Sequence, residues 1–180
     1  SGITNFMGEM LLRGSKSRTK EQIDLELDQM GASLEVETRS EALIVRGAVL
    51  SSQLEPFLKL VLDMVTQPAF PEHEMRKLKS EMVSSILEEQ GKDAALVSRR
   101  FAQFLFQDHP YGKPILGTVK DIGKLSTADV VGHYDKLFRN RSFLIVGTGD
   151  ADEDAIEKWA DALVTARPGG NEFPKVATPE

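Results

Sequence analysis

The strongest constraint on the fold lies in residues 34–49, where the apolar repeat leaves a helical period for a period of two. Before it, Ile23, Leu27 and Met30 recur at helical spacing. Thr19 with Gln22 forms a capping-box pattern that opens this helix, and Gly31 suits the position just past its last turn. Then Leu34-Glu35-Val36-Glu37-Thr38 alternates apolar and polar residues, which predicts a strand with one wet face. Ala42 to Val49 reads as its partner, joined through the polar Arg39-Ser40-Glu41.

After the strand pair the helical period returns. Ser52 with Glu55 is a second capping-box pattern, followed by Phe57, Leu58, Val61, Leu62 and Val65 and a stop before Pro68. Pro71 suits a helix start, with Met75, Leu78, Met82, Ile86 and Leu87 expected inward. Asp93 opens a helix with Leu96, Val97, Phe101, Phe104 and Leu105 on one side. Ser126 with Asp129 caps another, carrying Val130, Tyr134 and Leu137. Phe143 to Val146 predicts a short buried strand, and Asp152 opens a last helix with Ile156, Trp159 and Leu163. Strands paired in sequence and flanked by helices predict an α+β fold, with helices packed on a mostly antiparallel sheet.

The chemistry-bearing candidates lie in Gly2-Ile3-Thr4-Asn5-Phe6-Met7-Gly8-Glu9-Met10-Leu11-Leu12-Arg13-Gly14-Ser15. Phe6, Met7, Met10 and Leu11 form an apolar helix face, so the plain reading is a packed helix. The string resembles the extended H-x-x-E-H segment of the pitrilysin/insulinase-like (inverzincin) zinc metallopeptidases at its glycines, Phe6, Met10, Leu11 and Arg13. It departs where the family does its chemistry. Asn5 and Glu9 stand at the two histidine positions, and Gly8 stands at the general-base glutamate. Two histidines four residues apart on a helix share a face and can hold one zinc, and a carboxylate beside the second activates the bound water. Asn is a poor ligand and Gly has no side chain. One carboxylate falls short of the three or four protein ligands that zinc requires.

Other segments resemble the family in order. They are His109-Pro110-Tyr111-Gly112 with Leu116-Gly117-Thr118, then Ser126 to Tyr134, then Phe143 to Asp150. The resemblance places the third ligand of catalytic members on the helix around Glu81 to Asp93. Anchored on Asp93-Ala94, it puts Ile86 at that position. Glu88 and Glu89 read as a solvated helix face. A shift of register would bring one of them to the ligand position and would leave Asn5 and Gly8 unchanged.

The resemblance implies a processing-peptidase-like half-domain over residues 1–166 that lacks its first strands. Residues 167–180, rich in Pro and Gly, read as a linker toward a second half-domain. It also implies no catalytic residue and no metal in this chain, with zinc in an active partner or second half, in a bacterial hetero- or homodimer that takes peptides. Two alternatives stay open: an inactive domain of a longer chain whose zinc site lies elsewhere, and a purely structural assembly subunit.

Composition removes other classes. A net charge of -6 argues against nucleic acid, and no apolar run is long enough to span a bilayer. The absence of cysteine excludes disulfides and thiolate metal sites and suits either bacterial cytoplasm or periplasm. Of the histidines, His73, His109 and His133, none pairs with another at ligand spacing, and His109 before Pro110 reads as a turn residue. Arg99-Arg100 reads as solvated surface.

Overall fold

A computed structural model describes residues 1–107, 109–139 and 143–167. Eight helices and one strand pair are present among them. The helices are α1 (Ile3–Leu11), α2 (Lys20–Met30), α3 (Leu54–Thr66), α4 (Glu72–Gln90), α5 (Asp93–Phe106), α6 (Val119–Lys124), α7 (Thr127–Arg139) and α8 (Glu153–Ala166). The strands β1 (Ser33–Thr38) and β2 (Leu43–Ala48) form an antiparallel pair between α2 and α3. The architecture is α+β and predominantly helical. Residues 168–180, most of the expected linker, lie outside the described residues.

Local chemistry explains the boundaries of several elements. The Thr19 side chain accepts from the Gln22 N–H, and the Gln22 side chain accepts from the Thr19 N–H at 2.8 Å. Gly31 closes α2 in the left-handed region with φ 58°. Ser126 and Asp129 bond reciprocally ahead of α7. Ser52 and Glu55 do not form the expected capping box. Ser51–Gln53 makes a 3-10 turn, α3 begins at Leu54, and no side chain caps it.

The core forms where α1, α3, α4 and α7 meet. Phe6, Met7, Met10 and Leu60 are fully buried, together with Met64, Ile86 and Val130. On α4, Met75, Leu78, Met82 and Ile86 face inward as their spacing requires, but Leu87 is 55% exposed. It lies one residue, a rotation of roughly 100°, beyond Ile86. Deep in the molecule, the Tyr134 hydroxyl donates to the Val65 carbonyl at 2.6 Å. Arg167 stands 4.6 Å over the Tyr134 ring and donates to the Thr66 carbonyl at 2.6 Å. The first residue of the expected linker is thus tied to the domain.

The strand pair lays one face on this core. Leu34 sits opposite Gly47, Val36 opposite Val45, and Thr38 opposite Leu43. Leu34, Leu43 and Val45 pack against the buried cluster, while Glu35 and Arg46 pair on the wet face at 3.0 Å. A Cβ on Gly47 would lie 2.3 Å from Phe57 Cζ, so the ring of α3 lies directly against the strand backbone.

Phe143–Val146 is not a strand among the described residues. Phe143 and Ile145 pack on the core while Leu144 is 89% exposed, so the alternation of a strand is there without a partner strand beside it. The apolar side of α5 is also exposed, and Phe104 on it is 82% accessible.

Candidate functional site

The motif occupies α1 and the turn that follows it. Its apolar residues take the core side, which leaves Asn5 and Glu9 half-buried one turn apart. Thr4 Oγ1 is 2.8 Å from His133 Nε2, which ties the first turn of α1 to α7.

Gly8 is buried beneath the hairpin. A Cβ there would lie 2.8 Å from Leu43 Cδ1, 2.9 Å from Val36 Cγ1 and 3.5 Å from Thr38 Oγ1. Two of these three neighbours are methyl groups. The volume that any side chain at position 8 would need is filled by the inner face of β1 and β2.

Glu9 belongs to a charge network. Burial is the largest influence on its carboxyl and pushes its pKa up. Arg13 opposes this and Glu81 adds to it. Arg13 is held elsewhere: its Nη1 donates to Glu74 Oε2 at 3.1 Å, and its Nη2 donates to Glu81. Lys77 also donates to Glu74, at 2.7 Å. Glu74 is 1% exposed, so the two cations compensate a carboxylate taken out of water. Glu9, Leu12, Arg13, Lys20, Ile23, Asp24, Leu27 and Leu34 border a shallow cleft of about 160 Å³. That is below the roughly 300 Å³ at which small-molecule sites begin.

Ile86 does not join this group. It is 1% exposed, in the core beside Met82. The α4 carboxylate whose charge reaches Glu9 is Glu81. Sequence reasoning missed it, although its spacing from Glu74, two turns along α4, could have placed both on one face. Glu88 pairs with Lys92 at 2.9 Å on the outer surface. His109 sits at its turn, with Nδ1 accepting from the Tyr111 N–H at 3.3 Å.

Among the described residues no cluster of three or more His, Asp or Glu side chains is placed to hold a metal ion. Glu9 and Glu81 come near each other, but Arg13 lies between them in charge and binds Glu81 directly. A guanidinium there disfavours a second cation. The donor set does not fit zinc. No helix among the described residues is long and apolar enough to cross a membrane.

The sequence profile of the insulinase family, peptidase family M16, matches residues 1–119. A Rickettsia bellii protein described as an uncharacterized zinc protease is 31% identical over 165 residues, which cover 92% of this chain and 40% of the relative. A Helicobacter pylori protein named as the non-peptidase homolog YmxG is 23% identical over 172 residues, 96% of this chain and 40% of its own. The chain therefore spans about 40% of the length of these curated relatives. In fold, it superimposes with a TM-score of 0.86 on a crystal structure described as a peptidase M16 inactive domain from Pseudomonas fluorescens, at 21% identity over 99% of this chain and 44% of that one. A profile match over residues 1–119, most of the chain, places this chain in the insulinase family of zinc metallopeptidases, peptidase family M16.

Proposed function

We propose that this chain is a non-catalytic half of an insulinase-family assembly, which pairs with a zinc-bearing half and helps enclose peptide substrates. One observation carries the reading: Gly8 stands at the general-base position of α1, and Val36 and Leu43 fill the space beyond its Cα. With Asn5 and Glu9 at the histidine positions and Ile86 in the core, neither a water-activating carboxylate nor a ligand set is available. Asn5, Gly8, Glu9 and Ile86 are the altered positions on this reading. The chain itself binds no cofactor, and zinc belongs to the partner half. Peptide is held by main-chain pairing along a strand edge, which β1 and β2 each offer on their outer side among the described residues.

A second reading has support in the relatives' length. With about 40% of each relative covered, the zinc-bearing half can lie on the same polypeptide. Native mass spectrometry of the full-length protein, purified from its own source with metal counted, decides between the two. One zinc in a heteromer supports a separate partner, and one zinc in a single chain supports an inactive domain. A zinc-free complex points to a structural subunit. Stoichiometric tight zinc on residues 1–180, or peptide hydrolysis by them, overturns the proposal.

A further inference from the structure

Helix α5 is turned with its more apolar side away from the core. The residues it half-buries are Ala95, Arg99, Ala102, Gln103 and Phe106. Its outer side carries Val97, Phe101, Phe104 and Leu105, exposed by 66%, 62%, 82% and 53%. Leu96 on α5 and Leu87 near the end of α4 are also exposed, by 40% and 55%. The helix is anchored from the other side: Phe106 meets Tyr111 edge to face at 5.5 Å, and the Tyr111 hydroxyl bonds Glu41 in the hairpin loop. A helix face this apolar is ordinarily the buried one.

We infer that the outer face of α5 is the docking surface for a second folded half carried by the same full-length polypeptide. This rests on the reading of the chain as one half of a two-half protein. Three observations describe the docking face, and the length of the relatives selects its occupant. The first is area: the six exposed side chains present on the order of 600 Å², at the top of what a lone monomer shows and close to the roughly 800 Å² that each side of a stable interface buries. The second is shape and spacing. The face is convex, and Val97, Phe101 and Phe104 stand at i, i+4 and i+7, the anchor pattern of a helix entering a groove. An extended peptide needs the reverse, a groove or a strand edge to lie along. The third is charge. Arg100 borders the apolar strip, and neither it nor Arg99 has a carboxylate partner among the described residues, on a chain of net charge -6. The complementary surface is an apolar groove with a carboxylate rim. The relatives supply the length for it, since about 60% of each lies beyond the match.

The test uses thiol labelling in the full-length protein, for which residues 1–180 contribute no cysteine background. Phe104→Cys and, independently, Val97→Cys are compared with Lys59→Cys, whose native side chain is 73% exposed. Labelling at each site is followed by peptide mass spectrometry from micromolar to nanomolar protein. The expected result is that positions 104 and 97 react at least about tenfold more slowly than position 59 at every concentration, because reaction must wait for local opening. Equal rates overturn the inference. Protection that fades on dilution, with a homodimer mass at the upper end, overturns it in favour of a second copy, and the same fading with a heteromer mass assigns the face to another chain. Free labelling in a protein holding its zinc outside residues 1–180 refutes the docking face alone. Protection in a protein that binds zinc through α1 refutes the non-catalytic reading alone.

Discussion

Replacing Gly8 by alanine tests whether the hairpin seals α1. Two effects oppose each other. In a helix interior alanine is favoured over glycine by about 1 kcal/mol. Against that, the new methyl would lie 2.8 Å from Leu43 Cδ1 and 2.9 Å from Val36 Cγ1. Leu43 can swing its methyl aside, but Val36 is β-branched and stiff. Overpacking of this kind costs about 2 kcal/mol. The expected net effect is a loss of about 1 kcal/mol, or about 3 °C in Tm for a chain of this size. A double-mutant cycle isolates the contact. In a Val36→Ala background the stiff part of the clash is removed, so the same Gly8→Ala change becomes neutral or stabilising, with a coupling of about 1 kcal/mol. Urea unfolding followed by the fluorescence of the single Trp159 provides the assay, since its indole N–H donates to the Leu58 carbonyl at 2.6 Å. The midpoint should move without a change in slope. If Gly8→Ala stabilises the wild-type background by the full propensity gain, the hairpin does not press on α1 and the argument from filled space is wrong.

The other expectations concern the motif and two buried groups. The triple change Asn5→His, Gly8→Glu and Glu9→His should bind zinc weakly at best, since Ile86 contributes no ligand and residue 8 has no room; sub-micromolar affinity by competition with a chelator would show that the third ligand is misplaced. Lys77, and with it Arg13, holds the Glu74 carboxyl below its ordinary value, although burial works the other way. Glu74 therefore contributes stability above the unfolded carboxylate range that is lost as pH falls through its lowered value, and Glu74→Gln should flatten the acid limb of stability against pH. An unchanged acid limb would mean the ion cluster does not form. Burial pushes the Tyr134 phenol up to about 12. Its contribution is present below the unfolded tyrosine range and is lost as pH rises through about 12, so absorbance titration should show a tyrosine that ionises only near that pH and is absent from Tyr134→Phe. That variant also loses the bond to Val65, worth about 1 kcal/mol in unfolding free energy.

Features that depend on neighbours in sequence were legible, and those that depend on distant packing were not. The Thr19–Gln22 box, the left-handed Gly31 and the Ser126–Asp129 pair follow from residues three or four apart. Ser52 and Glu55 carry the same signature, yet the chain enters α3 through a 3-10 turn, which offers the first N–H groups a different partner. Periodicity grouped Val97, Phe101 and Phe104 on one side of α5, but it cannot say which side of a helix meets the core. Phe143 to Val146 shows the alternation of a strand, whereas a strand is completed by a neighbour that local sequence does not name. Helix α6, with six residues, is too short to show a period. At the site, the residue types on α1 could be read directly. That Val36 and Leu43 cover Gly8, and that Glu81 approaches Glu9, are contacts across about 28, 35 and 72 positions that only the fold supplies.

On the proposed reading, the altered positions are not vacancies in an otherwise working site, because three of them carry parts of the fold. Gly8 gives the hairpin its seat on α1. Glu9 is half-buried against Arg13, whose guanidinium also holds Glu74 and Glu81. Ile86 lies in the core at 1% exposure, where a glutamate would have to stay protonated or pull apart its surroundings. Restoring one position leaves the others opposed by packing or charge: a histidine at 9 without its carboxylate changes the balance around Arg13, and a glutamate at 8 displaces Val36 or Leu43. A route back to zinc would therefore have to rebuild the hairpin contact and the α4 face together. Their individual penalties should combine non-additively, since both surfaces bear on α1.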